Sequence, residues 1–347
     1  MSGAKKVFLL GPGFIGSEIL GLLLQEKYDV TTLVRSNSSA AKMGKIGVHA
    51  VQGTLEDKDL IETHTLASDV VIHTATADDI PSVEAIIKGI DRRLNDGRKT
   101  IYIHTSGASL LSDFSEGSVK NEFVFDDEYP EAIDALKDDA PHRMSDLLIV
   151  RGNKRFGTAA KLAIMIPPVI YGVGTLEERL SIQLPTLTRF ALKHGYAGYV
   201  GAGLPVWAEV HVKDLATGYM TLLHFLEADP DTALDNPYFF CESGTEHSWK
   251  QFAEAIGQAL HKAGKISDPV PRTVPNELYG DLFGAYTPVV VGANSRNKAN
   301  RLRKLGWEAK EKDSTASLNE DELPIILKES KKFSGYLAPV ASGPTRK

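Results

Sequence analysis

A short glycine-rich stretch near the start of the chain is the feature that most constrains its fold. The residues VFLLGPGFIG place Gly11, Gly13 and Gly16 directly after an apolar run and at the start of a helix-like segment. The first glycine permits a tight turn, the second lets a pyrophosphate approach the backbone, and the third lets the helix pack closely on the strand. The helix N-terminus also presents N–H groups to an anion. The stretch therefore predicts a strand, a turn and a helix that bind a dinucleotide, with Phe14 and Ile15 in the same loop.

Strand-like and helix-like segments alternate along the first half of the chain. Short apolar runs predict strands, and amphipathic segments between them predict helices over residues 16–26, 57–64 and 82–95. The predicted strands are residues 6–10, 30–34, 48–52, 70–73, 100–105 and 161–166. This alternation predicts an α/β protein with a Rossmann-type doubly wound parallel sheet and a smaller C-terminal α/β lobe.

The regular alternation ends near residue 172, which predicts two regions. We expect residues 1–172 to form the dinucleotide-binding domain, with residues 205–228 returning to it. We expect residues 173–335 to form the substrate lobe, with a long helix over residues 176–194, and residues 336–347 to form a flexible tail.

Composition narrows the class of protein and its partners. The net charge of −6 and the isoelectric point near 6.0 argue against a nucleic-acid partner. The sequence has no apolar run of about 18 residues and no signal-peptide pattern, which predicts a cytoplasmic protein without a membrane partner. The single cysteine, Cys241, is expected to be buried, and no residue cluster has the spacing of a metal site. The oligomeric state is left open, with a homodimer as one alternative.

The residues after the second predicted strand indicate which dinucleotide binds. An acidic residue at this point accepts hydrogen bonds from the ribose 2′-hydroxyl of NAD(H) and repels a 2′-phosphate. The sequence has Arg35 and Ser36 there instead, followed by Asn37 and Ser38. A guanidinium beside hydroxyl groups suits a phosphate dianion, so NADP(H) is favoured over NAD(H). The alternative is that Arg35 is an ordinary surface residue.

Several stretches in a fixed order resemble the short-chain dehydrogenase/reductase superfamily, in its extended or atypical branch of epimerase-like proteins. They are GPGFIG, DVVIHTAT, YIHTSGAS, PPVIYGVG and EVHVKDLATGYM. The resemblance implies that Thr74 and Ala75 line the pyrophosphate and adenine ribose, and that Ser106 hydrogen-bonds the oxygen of the substrate. It also implies that a loop packs beside the nicotinamide, formed by Pro167, Pro168 and Val169.

The chain departs from this superfamily at the position of its catalytic Tyr-x-x-x-Lys pair, which is missing. His142 and Asp146 stand four residues apart near that position, a spacing that places both on one helix face. We hypothesise that His142 is the acid/base, that Asp146 fixes its tautomer, and that Ser106 holds the substrate oxygen. The alternative is that His142 caps the helix and Asp146 is an exposed acid in its first turn.

Substrate contacts are expected from the C-terminal lobe, where aromatic and polar residues predict a neutral, partly apolar small molecule. The candidates are Tyr171, Gln183, Tyr199 and Trp207. Arg179 and Arg189 leave a phosphate or carboxylate group on the substrate as an alternative. The leading hypothesis is an NADP(H)-dependent oxidoreductase that reduces a carbonyl or an activated double bond. The alternatives are a nucleotide-sugar epimerase or dehydratase, and a non-catalytic protein that senses NADP(H).

Overall fold

The computed structural model describes residues 4–176, 178–229, 231–330, 333 and 335, so the predicted tail over residues 336–347 lies outside the described residues. Strands and helices alternate through the first half, as the apolar pattern predicts. The elements are β1 (Lys6–Leu10), α1 (Phe14–Gln25), β2 (Asp29–Val34), α2 (Asn37–Lys45), β3 (His49–Gln52), α3 (Lys58–Ala67), β4 (Val70–His73), α4 (Ile80–Asn95), β5 (Thr100–Thr105), β6 (Phe125–Asp126), α5 (Pro130–Asp134), α6 (Arg143–Phe156), β7 (Ala160–Ile166) and β8 (Val169–Tyr171).

The second half is less regular and includes short helical turns of the 3₁₀ type. Its elements are α7 (Gln183–His194), β9 (Gly198–Tyr199), β10 (Val206–His211), α8 (Val212–Ala228), β11 (Tyr238–Phe240), β12 (Glu246–Ser248), α9 (Trp249–Lys262), β13 (Arg272–Thr273), α10 (Thr287–Gly292), β14 (Asn297–Lys298), α11 (Asn300–Lys304), α12 (Ser314–Ser317) and α13 (Leu323–Ile326). A π-helical turn, Leu318–Glu322, joins the last two helices.

Within the described residues, seven strands form one parallel sheet in the order β11-β7-β5-β4-β1-β2-β3. The central strands are apolar because helices cover both faces of the sheet; Val7 to Leu10 of β1 are fully buried. Helix α1 packs against α8, whereas α3 and α6 pack against α4. The predicted Rossmann-type fold is confirmed. The strand order reverses between β1 and β4, which opens a crevice at their carboxyl ends.

A second, smaller sheet of the described residues contains β8, β10 and β12. Strand β10 is parallel to β8 and antiparallel to β12, and α7 and α9 pack together beside it. Strand β11 lies within residues 173–335 in sequence, but it forms the edge of the main sheet beside β7. None of the described helices is both long and apolar enough to cross a membrane.

The predicted helix over residues 176–194 is wrong in its first part. Helix α7 begins at Gln183, and before it an antiparallel bridge joins Val173 to Leu180. We call this segment the hairpin; its described residues are 173–176 and 178–180. Glu178, within the predicted helix, has a positive φ angle of +47°. A left-handed backbone at this position is incompatible with a continuous helix.

Candidate functional site

The glycine loop connects β1 to α1 and has the tight packing that its sequence predicts. Gly11 has φ +88°, and a Cβ on it would lie 2.4 Å from Cα of Ala75. A Cβ on Gly16 would lie 2.1 Å from the carbonyl oxygen of Gly11. Gly13 differs, because the atoms nearest to its missing Cβ are Nη1 of Arg179 at 3.7 Å and the Gly11 oxygen at 4.0 Å. This face of Gly13 is free of close backbone contacts and is bordered by the Arg179 guanidinium, on the side where a pyrophosphate would approach the loop. We call the glycine loop and the first turn of α1 the cradle.

The first turn of α1 completes the cradle. Ser17 donates the first hydrogen bond of the helix to the Gly13 carbonyl oxygen at 3.0 Å, so the amides of Phe14, Ile15 and Gly16 come before it. Amides in this position have no partner within the helix and point along its positive end. Thr74 supports the loop from β4, since its Oγ1 donates to the Gly11 oxygen at 2.7 Å. These residues fit a dinucleotide pyrophosphate.

Arg35 and Ser36 lie where β2 ends and α2 begins, on the same carboxyl edge of the sheet. Arg35 is exposed, and Ser36 is the N-cap of α2, accepting a hydrogen bond from the amide of Ser39 at 3.2 Å. The Ser36 hydroxyl also lies 2.9 Å from that of Ser38. The Ser36 hydroxyl also donates to that of Ser39 at 3.0 Å. Three hydroxyl groups thus lie together at a helix N-terminus directly after Arg35 in the sequence, an arrangement that suits a phosphate.

His142 lies between two polar side chains at the carboxyl ends of β4 and β5. Its Nδ1 is 2.8 Å from Oδ1 of Asp78, and its Nε2 is 2.5 Å from Oγ of Ser109. The side chain of His142 is 9% exposed and that of Asp78 is 18% exposed. A carboxylate on one ring nitrogen fixes the tautomer and leaves the other nitrogen to exchange a proton with a hydroxyl group.

The backbone around His142 explains how the imidazole reaches this position. His142 precedes α6 with φ +66°, a left-handed conformation that is uncommon for a residue with a side chain. The imidazole lies against Gly107, where a Cβ would come within 3.1 Å of Nε2. His142 is the N-cap residue of α6, as the alternative predicted, and its carbonyl oxygen accepts a hydrogen bond from the Asp146 amide at 3.2 Å. Its side chain makes no capping hydrogen bond to α6 and is directed to Asp78 and Ser109 instead.

Asp146 and Ser106 form a separate pair beside this group. Ser106 donates to Oδ2 of Asp146 at 2.8 Å, and both side chains are buried. Asp146 is therefore neither the partner of His142, as we hypothesised, nor an exposed acid, as the alternative held. Burial raises the pKa of Asp146 to about 7 despite the hydrogen bond from Ser106.

Two further histidines are enclosed in the core next to these pairs. Nδ1 of His73 lies 3.3 Å from Nδ1 of His104, and the Tyr102 hydroxyl lies 3.1 Å from the same atom of His104. All three side chains are fully buried. Burial lowers the pKa of His73 to about 4 and that of His104 well below its usual range. Both imidazoles are neutral near pH 7 and have no path to solvent, which makes them packing residues.

The remaining predicted site residues are divided between the crevice edge and the core. Pro167 lies beside the site, since its carbonyl oxygen accepts a hydrogen bond from Ala108 at 2.9 Å. Pro168 follows it, and Val169 is buried as the first residue of β8. Among the predicted substrate contacts, Gln183 and Tyr199 are half-buried.

Tyr171 and Trp207 are enclosed instead, each 2% exposed. The Tyr171 hydroxyl donates to the Lys312 carbonyl oxygen at 3.0 Å, and Trp207 donates to that of Ala293 at 2.6 Å. Their burial corrects the expectation that they line an open substrate pocket.

Asp78 and Ser109 are functional candidates that the sequence patterns did not predict. Asp78 lies in the loop between β4 and α4, and Ser109 lies in a helical turn, Ala108–Leu111, three residues beyond Ser106. Both follow adjacent parallel strands, a position at which polar residues gather in doubly wound folds. Their place after the ends of adjacent parallel strands is the sequence signal that could have identified them. In the described part of the chain, no group of three or more His, Cys, Asp or Glu residues could hold a metal ion.

Comparison with known proteins agrees with the fold. The sequence profile of the NAD dependent epimerase/dehydratase family matches residues 7–233. The oxidase ucsJ of an Acremonium species is 32% identical over 291 residues, which cover 76% of this chain and 82% of that protein.

Solved structures with a similar fold include two enzymes that act on sugar nucleotides. UDP-glucose 4-epimerase from Thermotoga maritima has a TM-score of 0.66 at 16% identity, covering 93% of this chain and 100% of the epimerase. A dTDP-glucose 4,6-dehydratase from Bacillus anthracis, in complex with NAD, has a TM-score of 0.62 at 17% identity, covering 94% and 98%. At these identities the likeness concerns the fold alone.

Proposed function

Because the chain belongs to the NAD dependent epimerase/dehydratase family, we propose that it is an NADP(H)-dependent oxidoreductase. Its reaction is the reduction of a carbonyl group, or of a double bond activated by one, in a small molecule. The proposal depends most on the position of His142, whose Nε2 faces Ser109 while Asp78 holds its Nδ1. This arrangement supplies a proton donor at the crevice, where the family's usual tyrosine is missing.

The chain's own residues account for the proton and for the position of the substrate. The Ser109 hydroxyl, and not Ser106 as the sequence suggested, would donate its proton to the carbonyl oxygen, while protonated His142 passes the proton on Nε2 to the Ser109 oxygen. Asp78 keeps the proton on Nδ1, so that the imidazole left after transfer is neutral and correctly oriented. Bound NADPH would supply the hydride for the carbon. For a ketone the balance is ketone + NADPH + H⁺ → alcohol + NADP⁺, and His142 recovers its proton from water.

The preference for NADP(H) is supported by the residues at the N-terminus of α2. Arg35, Ser36 and Ser38 would surround the 2′-phosphate, and α2 begins at Asn37 without an acidic residue in its first turn. An acidic residue at the end of β2 would favour NAD(H) instead. The dehydratase of similar fold is in complex with NAD, which is a property of that protein.

The proposal is tested by binding and then by turnover. The purified protein is titrated with NADPH and with NADH, and tighter binding of NADPH is expected. It is then incubated with NADPH and a panel of aldehydes, ketones, quinones and enones, with the loss of NADPH absorbance as the readout. Oxidation of NADPH by at least one class of carbonyl compound supports the proposal. Tight NADPH binding without oxidation across the panel would favour a cofactor sensor and contradict it.

A further inference from the structure

The hairpin between β8 and α7 lies next to the glycine loop. Its two sides are joined by the bridge between Val173 and Leu180, and by a hydrogen bond of 2.8 Å from the Gly174 amide to the Arg179 carbonyl oxygen. These contacts fix the backbone on both sides of the turn. They fix the backbone position of Arg179, whose side chain is exposed.

Two contacts attach this hairpin to the helix that carries the cradle. Thr175 donates from its amide and its hydroxyl to the carboxylate of Glu18, at 2.5 and 2.9 Å. Gly174 packs on Phe14, because a Cβ on Gly174 would lie 3.3 Å from Cδ2 of that ring. Glu18 and Phe14 are both in the first two turns of α1. The hairpin is thus positioned relative to the N-terminus of α1 and not only to its own strand.

The guanidinium of Arg179 lies beside Gly13 of the cradle. Its Nη1 is 3.7 Å from the position that a Cβ of Gly13 would occupy, the side on which a pyrophosphate approaches the loop. A guanidinium is a planar donor that binds phosphate oxygens through two parallel hydrogen bonds. The loop amides and the N-terminus of α1 would bind such a group on one side, and Arg179 would bind it on another side.

We propose that Arg179 is a ligand of the dinucleotide pyrophosphate, which it binds against Gly13 and the N-terminus of α1. The inference rests on the proposed function, because it requires that a dinucleotide occupies the cradle. It assigns to Arg179 a role different from that of Arg35. Arg35 contacts a phosphate that NADPH has and NADH lacks, whereas Arg179 contacts the pyrophosphate that both share.

This difference gives a sharp test with two single variants of the full chain. Arg179→Ala is expected to weaken NADPH and NADH by the same factor, about tenfold, as the loss of a charge-assisted contact would do. Arg35→Ala is expected to weaken NADPH and leave NADH unchanged. Dissociation constants come from calorimetry or protein fluorescence, without turnover. Arg179→Lys keeps the charge but not the paired hydrogen bonds, and should fall between the wild type and Arg179→Ala.

Two controls distinguish a lost pyrophosphate contact from a general loss of positive charge. Arg189→Ala removes an arginine that pairs with both carboxylate oxygens of Glu329, away from the cradle, and should leave the affinity for both dinucleotides unchanged. Adenosine 2′-monophosphate has no pyrophosphate, so Arg179→Ala should bind it as the wild type does. Equal thermal midpoints of the wild type and Arg179→Ala show that the variant is folded.

The possible outcomes separate the two proposals. Unchanged binding of both dinucleotides by Arg179→Ala, or a loss confined to NADPH, overturns the role of Arg179 and leaves the proposed function intact. A wild-type protein that binds neither dinucleotide overturns both. Parallel losses for NADPH and NADH, with unchanged binding of adenosine 2′-monophosphate, support the inference.

Discussion

His142 is held by two side chains that come from different parts of the chain. Asp78 is 64 positions away in sequence and Ser109 is 33 positions away, yet each lies within 2.8 Å of one ring nitrogen. Since both ring nitrogens have a partner, the imidazole has one orientation, with its Nε2 directed to a hydroxyl group. Such a fixed orientation is what a general acid needs, because proton transfer depends on a short and aligned contact.

Replacing His142 tests this assignment directly. His142→Ala should lower kcat for NADPH oxidation by at least about a hundredfold, the usual contribution of general acid catalysis. NADPH affinity should remain unchanged, because the imidazole does not contact the glycine loop. Steady-state kinetics and a fluorescence titration measure the two quantities separately. An unchanged kcat would show that the proton comes from another group.

Whether Asp78 or Asp146 orients the imidazole of His142 can also be tested. Asp78→Asn should lower kcat by about tenfold or more, since an amide at Nδ1 no longer favours the productive tautomer. Asp146→Asn is the matched control, because Asp146 bonds Ser106 and makes no hydrogen bond to His142. It should retain most of the activity. A larger loss in Asp146→Asn than in Asp78→Asn would indicate that Asp146, and not Asp78, orients the imidazole.

The sequence led to His142 as a hypothesis, but it could not predict which carboxylate contacts the imidazole, for a physical reason. The spacing of four between His142 and Asp146 implies a shared helix face only if both residues are helical. His142 has φ +66° and lies outside α6, so its side chain departs from that face. Asp78 belongs to a loop after β4, and its distance from His142 depends on how the parallel strands assemble. Local patterns carry no information about such a contact.

At the scale of single elements, Gly16 allows helix α1 to pack closely against the glycine loop and β4. Gly16 lies inside the helix where a side chain would meet the Gly11 oxygen and Thr74 Oγ1, at 2.1 and 2.5 Å. Gly21 belongs to the same helix, but no atom lies within 4 Å of its missing Cβ. Both glycines are in the helix, but the space beside Gly16 is filled and the space beside Gly21 is empty.

Alanine substitutions at these two positions should therefore have opposite effects. Gly16→Ala forces the loop away from the helix, and should lower the free energy of unfolding by about 1–3 kcal/mol as well as weaken NADPH binding. Gly21→Ala should raise the free energy of unfolding by about 0.5–1 kcal/mol, because alanine loses less backbone entropy in a helix than glycine does. Urea denaturation of both variants measures the changes. Similar effects at both positions would contradict the close packing of Gly16.

Elements were predictable where one local signal dominated. The apolar runs of β1, β4 and β5 predict the strands that the structure has. The start of α7 was not predictable in this way. Residues 176–182 continue an amphipathic pattern, but contacts of the hairpin with α1, such as that between Thr175 and Glu18, favour a turn. A tertiary contact of this kind overrides a weak helical preference.

At the scale of the whole molecule, a buried carboxylate in the C-terminal part of the described chain contacts the strand end from which the hairpin begins. Glu322 is fully buried and accepts hydrogen bonds from the Gly172 amide at 3.0 Å and from the Ser317 hydroxyl at 3.1 Å. Gly172 is the residue from which the hairpin carrying Arg179 begins. The position of that hairpin thus depends on a contact 150 residues away in sequence.

This carboxylate should make the stability of the protein depend on pH. Burial raises the pKa of Glu322 to about 7 from its ordinary value of 4.5. A folded-state pKa above the unfolded-state pKa means that the folded protein binds the proton more tightly. The stabilisation is therefore complete below about pH 4.5 and is lost as the pH rises towards about 7. At 1.36 kcal/mol for each pH unit of difference, the full loss is up to about 3 kcal/mol.

Glu322→Gln tests this dependence, because glutamine can accept the same two hydrogen bonds without a charge. The variant should match the wild type within about 1 kcal/mol at pH 5, and should exceed it by about 1–3 kcal/mol at pH 8. Urea denaturation at pH 5, 6, 7 and 8 gives the difference in the free energy of unfolding. The control is Glu308→Gln at an exposed position, for which the difference should be the same at each pH. If the difference in the free energy of unfolding between Glu322→Gln and the wild type does not grow with pH, Glu322 is charged in the folded protein from pH 5 to pH 8. The contact between Glu322 and Gly172 then does not depend on a proton.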